Sequence, residues 1–281
     1  MKQSVLAVLA MFVFTQYAFS QEEIKTPEFY TAHNKGKFYI AWGGNRESYS
    51  KSDVTYTGDN YHFTVENMDA HDKPKGWHID YLNPTRMTIP QTNFRLGYYV
   101  SDHYSVSVGW DHMKYVMTQD QIANVNGYIN TGEGFDGQYN HTPTVMTKEF
   151  LTYEHTDGLN YVNAEVARHD DISKLFTIGN TDMIQINVSE GIGAGVLYPK
   201  TNTKLMGRQR HDEFHISGYG VSAKAALNIT FLKYFYVQGE LKGGYINMND
   251  IRTTYDGNDR ASQEFFYFQR IIQVGAIFRV F

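Results

Sequence analysis

Eight runs of alternating apolar and polar residues divide the chain. In the first, Phe38, Ile40 and Trp42 share one face and Lys37, Tyr39, Ala41 and Gly43 the other. A period of two is that of a β-strand, whose successive side chains point to opposite sides. The second run sets Phe94, Leu96, Tyr98 and Val100 against Asn93, Arg95, Gly97 and Tyr99. After a short turn at Ser101 and Asp102, the third sets Tyr104, Val106, Val108 and Trp110 against Ser105, Ser107, Gly109 and Asp111. Two runs joined this tightly make an antiparallel hairpin. Val162, Ala164 and Val166 mark a fourth run, with Glu165 on its polar face, and Ile184, Ile186 and Val188 a fifth. The sixth extends from Tyr219 to Phe231, and the seventh opposes Val237, Gly239, Leu241 and Tyr245 to Gln238, Glu240, Lys242 and Gly244. The eighth runs from about Phe266 to Phe281.

Connections alternate in length. Short turns follow the second and sixth runs and a moderate one, around Asp170 to Asn180, follows the fourth. Long segments cover Glu47 to Arg86, Thr118 to Lys148, Lys200 to Gly218 and Asn249 to Gln263. This asymmetry predicts an all-β fold: an eight-stranded antiparallel transmembrane β-barrel with short periplasmic turns and long extracellular loops. Alternation alone does not orient the faces, because a soluble barrel alternates too. The sixth and seventh runs decide it: their polar face carries Lys224, Glu240 and Lys242 beside small residues, as a narrow lumen requires. Their other face is apolar over the length a tilted strand needs to cross a bilayer. Tyr219, Phe231, Tyr245 and Trp110 near the strand ends fit interfacial girdles. Strict alternation puts Glu190 in lipid, so a bulge near Gly191, Gly193 and Gly195 is expected to turn it inward.

Composition then fixes the compartment. Residues 1–20 have a basic start at Lys2, an apolar core from Val5 to Phe14 and the ending Ala18-Phe19-Ser20, the pattern of a secretory signal peptide. Residues 21–35 form a polar periplasmic N-terminal segment, and 36–281 the barrel. The 281 residues include no cysteine, which excludes disulfides, thiolate chemistry and a lipid anchor. A net charge of −5 argues against nucleic acid as a partner. A mean hydropathy of −0.46 is too polar for a bundle of membrane helices.

The last strand carries a further signal. Gln273, Gly275, Phe278 and Val280, followed by Phe281, resemble the C-terminal assembly signal of outer-membrane barrels. That resemblance implies outer-membrane lipid and the barrel-assembly machinery as partners. Over the mature chain the sequence resembles small outer-membrane barrels of the OmpA or OmpW type, and exported barrels of Bacteroidetes. Thr88-Ile89-Pro90-Gln91, Trp110-Asp111-His112-Met113-Lys114-Tyr115 and Lys242-Gly243-Gly244-Tyr245-Ile246-Asn247 carry the latter. The resemblance implies a fold and a membrane, with no assigned activity and no cofactor.

Candidate chemistry lies in three places. Arg95, Asp111, Glu165, Lys224, Glu240, Lys242 and Arg279 are expected to share the lumen, either lining an ion or solute path or plugging it with ion pairs; the strand count favours the plug. His211, Asp212 and His215, or Asp69, His71 and Asp72, have metal-ligand chemistry, but on loops without a rigid support they read as solvated residues. His112, at the outer end of the third strand, has no Ser and acid partners at a spacing that would make a lipid-modifying enzyme and reads as an interfacial cap. In the first long loop, Asp53 to Val65 predicts an extra hairpin turning at Gly58-Asp59-Asn60. It is Tyr-rich, which fits a platform for another envelope protein or a glycan. The expected role is therefore binding or structural, with a narrow channel and a barrel enzyme as rivals.

Overall fold

The computed structural model describes residues 33–76, 90–208 and 210–280, and of Asp212 the backbone alone. The signal peptide, Thr88-Ile89 and Phe281 lie outside the described residues. The strands are β1 Phe38–Tyr49, β2 Ser52–Gly58, β3 Tyr61–Met68, β4 Ala70–His71, β5 Thr92–Tyr99, β6 Tyr104–Met117, β7 Ile122–Ile129 and β8 Gly137–Val145. They continue with β9 Leu151–Asp171, β10 Ile184–Leu197, β11 Lys200–Leu205, β12 His211–Phe214, β13 Gly218–Phe231, β14 Phe235–Arg252 and β15 Arg260–Phe278.

Eight of these close a ring in the order β1-β5-β6-β9-β10-β13-β14-β15, and β15 returns to β1. The seam is antiparallel from Phe38 opposite Phe278 to Tyr49 opposite Tyr267. The ring satisfies every strand edge within the apolar band, which a lipid environment demands because no water is there to bond a free N–H. All eight runs of alternation fall on ring strands. Their apolar faces point outward: Val108, Val166, Ile192, Leu241, Ile272 and Val274 are exposed, whereas Ser107, Glu165, Lys242 and Gln273 are buried. Rings gather on the outer wall, with Phe38 against Tyr98 and Phe278 near one end and Tyr245 against Phe266 toward the other.

The short connections all lie at one end. Val100 to His103 join β5 to β6, Leu232 to Tyr234 join β13 to β14, and a moderate turn containing the 3-10 segment Ser173–Phe176 joins β9 to β10. At the other end the strands overrun the membrane. β9 has 21 residues; at about 3.3 Å per residue and a tilt of roughly 40° it rises about 50 Å, twice an apolar band of about 25 Å.

The predicted hairpin is present as β2 and β3, turning at Asp59 and Asn60. The cap extends well beyond this hairpin. β2 pairs with the upper part of β15, β3 with β7, and β7 with β8, so the barrel wall continues outward as a sheet. β11 pairs with β9 and with β12. The second and third long loops are therefore folded elements. They enclose an apolar core including Val54, Tyr56, Tyr61, Phe63, Val65, Met68, Met113, Tyr115, Phe150, Leu151, Tyr153 and Leu205. Each such side chain contributes about 1.5–3 kcal/mol by burial. Tyr56 and Tyr61 are fully buried there, so they build the cap and do not form the contact surface expected of them.

The expected bulge at Glu190 is absent. β10 pairs without a register shift from Ile184 to Leu197 against β13, and Glu190 points outward, directly across from Arg168 on β9. Arg168 is itself level with Tyr104, the first residue after the β5–β6 turn, and pairs with Asp170 at 2.8 Å. Glu190 thus joins a charged patch toward the periplasmic rim, where the cost of a lipid-facing charge falls toward zero. Gly191, Gly193 and Gly195 face the lumen and make room there.

Candidate functional site

Six of the seven predicted lumen charges meet in one cluster. Glu165 on β9 stands 3.0 Å from Arg95 on β5, 2.7 Å from Lys224 on β13 and 2.8 Å from Lys242 on β14. Lys242 also reaches Asp111 at 2.8 Å and Glu240 at 3.6 Å, and Lys224 reaches Glu240 at 3.2 Å. Arg95 stands 3.5 Å from Asp111. Three cations and three carboxylates balance, and none of the six side chains is more than 6% exposed.

Register explains the arrangement. Lys224 and Lys242 are directly opposite each other across β13 and β14, a like-charge pair that would repel. Glu165, on β9 with only β10 between it and β13, bridges them with one carboxylate oxygen to each. Space for these side chains comes from small residues at the matching positions. Gly109 faces Arg95, and a Cβ there would stand 2.5 Å from the guanidinium carbon. Gly193 faces Glu165, and a Cβ there would stand 2.7 Å from its Cγ.

Neutral amides complete the network, and the sequence reading missed them. Asn163 Nδ2 donates to Asp111 at 3.0 Å while its Oδ1 accepts from Arg95 at 2.9 Å. Asn93 Nδ2 donates to Asp111 at 2.7 Å, Asn45 Nδ2 to Asn93 at 2.6 Å, and Gln238 Nε2 to Glu240 at 3.0 Å. The signal was present: Asn93 and Gln238 stand on the polar faces of their runs. Buried charges cost several kcal/mol each unless paired and hydrogen-bonded, so these amides belong to the cluster as much as the ions do.

Arg279 does not join them. It lies beyond the end of β15, exposed, with its guanidinium donating to the Lys35 carbonyl at 3.2 Å. Its parity matches the lumen, but the strand has ended.

Below the ions, Tyr39, Ala41, Tyr99, Tyr236 and Ile277 pack as a floor. The Tyr39 and Ser105 hydroxyls are 3.2 Å apart, and Ser105 meets His169 Nε2 at 2.9 Å. Gly275 faces this floor: a Cβ there would run into the Tyr236 ring and the Ile40 carbonyl. Gln273 faces inward next to Gln238, whereas Phe278 faces outward and Val280 lies exposed past the strand. Among the residues of the assembly-signal resemblance, then, Gly275 and Gln273 also serve packing.

The remaining candidates separate. His112 is buried rather than a rim cap, with Nδ1 and the Trp110 indole N–H both 2.8 Å from Asn160 Oδ1. His211 pairs with Glu213 at 3.3 Å and His215 with Asp250 at 2.7 Å. Asp69 pairs with Lys51 at 3.0 Å, while His71 meets Thr118 at 3.1 Å. Among the described residues no three His, Asp or Glu side chains gather as metal ligands.

No family model matches the chain and no curated protein matches it by sequence. Solved structures similar to it include Ail, the attachment invasion locus protein of Yersinia pestis, in complex with the heparin analogue sucrose octasulfate: 8% identity, 87% of this chain and 99% of that one, TM-score 0.33. OprG of Pseudomonas aeruginosa shows 10% identity, 88% and 98% coverage and a TM-score of 0.36. Neisserial surface protein A shows 7%, 84%, 97% and 0.28. At such values the assignment rests on the chain's own closed ring rather than on these neighbours. With an apolar outer belt, a polar electroneutral lumen, short turns at one end and long excursions at the other, the chain has the fold of an outer-membrane β-barrel.

Proposed function

We propose that this barrel acts in the outer membrane as a structural or binding protein, working through its extracellular cap, and that it does not conduct. One observation carries the reading: the lumen is filled by a neutral ion cluster above an aromatic floor, with the apolar cap core over both. A path for solute would have to break several buried ion pairs at once, and leaving even one charge of such a pair unpaired costs about 3–5 kcal/mol.

The cap offers the surface. On β2 and β3 the side opposite the core presents Thr55, Thr57, His62, Thr64 and Glu66, with the Thr55 and Thr64 hydroxyls 2.8 Å apart and Thr57 3.0 Å from His62. Hydroxyl and imidazole groups on a rigid sheet suit a polar partner, a glycan or another envelope protein, and the barrel would be one subunit of such an assembly. As we read it, the chain is one of the exported barrels of the Bacteroidetes kind.

Two experiments test this. In planar bilayers the purified barrel is expected to stay silent, and discrete conductance steps would restore the channel reading. With a photo-crosslinking residue at Thr64, capture from native membranes is expected to trap a partner. Recovery of the barrel alone would count against the binding role.

A further inference from the structure

The outer wall carries two charges that strand register sets against each other. Arg46 on β1 and Arg270 on β15 are directly opposite across the seam, and both stand on the lipid-facing side of their strands. Like charges so placed repel. Elsewhere on the wall a cation is matched: Arg168 lies across from Glu190 and pairs with Asp170. Arg270 is exposed, and among the described residues no carboxylate pairs with it. Arg46 turns one guanidinium N–H back to the Asn45 carbonyl at 2.6 Å. Both arginines lie eight residues along their strands from the Phe38–Phe278 pair near the periplasmic end. At about 3.3 Å per residue and a tilt of roughly 40°, that puts them about 20 Å up an apolar band of about 25 Å, in its outer leaflet.

A furrow in the same wall is an independent observation. One row below the arginines on the same face, Ile272 is flanked in register by Gly44 on β1 and Gly239 on β14. Nothing lies within 4 Å of where a Gly239 Cβ would stand. The result is an open groove of about 770 Å³ lined by Arg46, Arg270, Leu241, Ile272 and Gly239. Its inner edge reaches the carboxylates of Glu47, Asp72 and Glu240. Both oxygens of Glu47 accept amide N–H groups, from Gln91 and Gln269, and both of Asp72 accept N–H groups, from Gln91 and the Glu47 backbone. Glu240 belongs to the neutral lumen cluster. Toward the membrane, then, the groove offers guanidinium N–H donors over an apolar floor. One row higher Phe268 is exposed, with Phe266 exposed beyond it.

We propose that Arg46 and Arg270 hold a phosphate of one outer-leaflet glycolipid of the lipid A class, with acyl chains lying along the furrow beneath. A phosphate between the two guanidinium groups relieves their repulsion, and the planar fork of Arg matches phosphate oxygens in pairs. The glycine-flanked floor gives an acyl chain a bed on the strands themselves, which a free anion would not use. The exposed rings of Phe266 and Phe268 above offer faces that suit the C–H edges of a sugar. This site does not rest on the partner proposed for the cap.

The test is native mass spectrometry of the full-length mature barrel in detergent, titrated with lipid A and in parallel with phosphatidylglycerol, diacylglycerol and inorganic phosphate. The expected result is one tightly held lipid A per chain. Arg270→Gln is expected to weaken it by about tenfold or more. Arg270→Lys is expected to lose part of the affinity, because an ammonium keeps the charge and not the fork. Arg279→Gln, at the periplasmic end, is expected to change nothing. Should Arg270→Gln not fold, Arg46→Gln serves under the same criterion. The proposal is overturned if the wild type takes up no lipid A, or if affinity survives both Arg270→Gln and Arg46→Gln. It is equally overturned if diacylglycerol or phosphatidylglycerol binds as tightly, or if millimolar inorganic phosphate displaces lipid A, the mark of a site for free anions.

Discussion

At the scale of single residues, the buried charges show what parity tells and what it does not. Arg95, Asp111, Glu165, Lys224, Glu240 and Lys242 each stand on the polar side of an alternating run, so their shared lumen was legible before any coordinates. Arg279 obeys the same parity and still lies outside, because facing the lumen needs a continuing strand and the pairing of β15 ends at Phe278. Glu190 fails in the opposite sense: its unfavourable parity is real and is offset by Arg168 across the strand, a neighbour that only register reveals. Lys242 is the most completely buried of the three cations and touches all three carboxylates. Lys242→Met leaves them with one cation too few and is expected to destabilise the barrel by about 3–5 kcal/mol, measured by urea unfolding in detergent. The double variant Lys224→Met with Glu240→Leu removes one charge of each sign and is expected to cost less than the sum of its parts. Additive losses would mean that the ions do not act as a cluster.

Among elements, the ring strands were legible and the cap largely was not. β2 and β3 show clean alternation around a tight turn. β7 keeps the period, with Ala123, Val125 and Ile129 buried, yet Gly127 interrupts that face and Asn124 and Asn126 stand on the other, so the run reads as loop. β8 is exposed along both faces, so no hydrophobic pattern marks it at all; only pairing with β7 makes it a strand. The cap holds a titratable group whose effect can be measured. His155, on the part of β9 above the membrane-spanning stretch, lies among the rings of Tyr115 and Tyr153 with Nδ1 3.0 Å from Thr201 Oγ1. Burial lowers its pKa from 6.5 to about 3. Between those values the opened cap takes up a proton that the closed cap refuses. Stability is therefore complete above the ordinary histidine range and falls as the pH drops through the window, by up to about 1.4 kcal/mol per pH unit. Hydrogen exchange of the β2, β3 and β7 amides is expected to accelerate relative to the ring strands as the pH falls from 7 to 4, after correction for intrinsic rates. His155→Gln is expected to flatten that dependence, and an unchanged slope in the variant would assign it to another group.

For the molecule as a whole, one orientation governs everything else: apolar side chains against lipid, charges about the axis. The partition follows from simple accounting of what each environment solvates, since hydrocarbon offers no hydrogen bond and a narrow lumen offers only other side chains. It leads to a lumen filled by side chains, with strands of up to 21 residues carrying a folded cap clear of the membrane at the end away from the short turns. The chain contains no cysteine, so single cysteines can be introduced and spin-labelled one at a time along β15, from position 264 to position 276, in lipid vesicles. Collision with dissolved oxygen should alternate with a period of two, high at the even positions, such as 266, 268, 272 and 274, and low at the odd ones, such as 267, 269, 271 and 273. Uniform accessibility, or the inverse alternation with the odd positions in lipid, would contradict the orientation from which the filled lumen and the extracellular cap both follow.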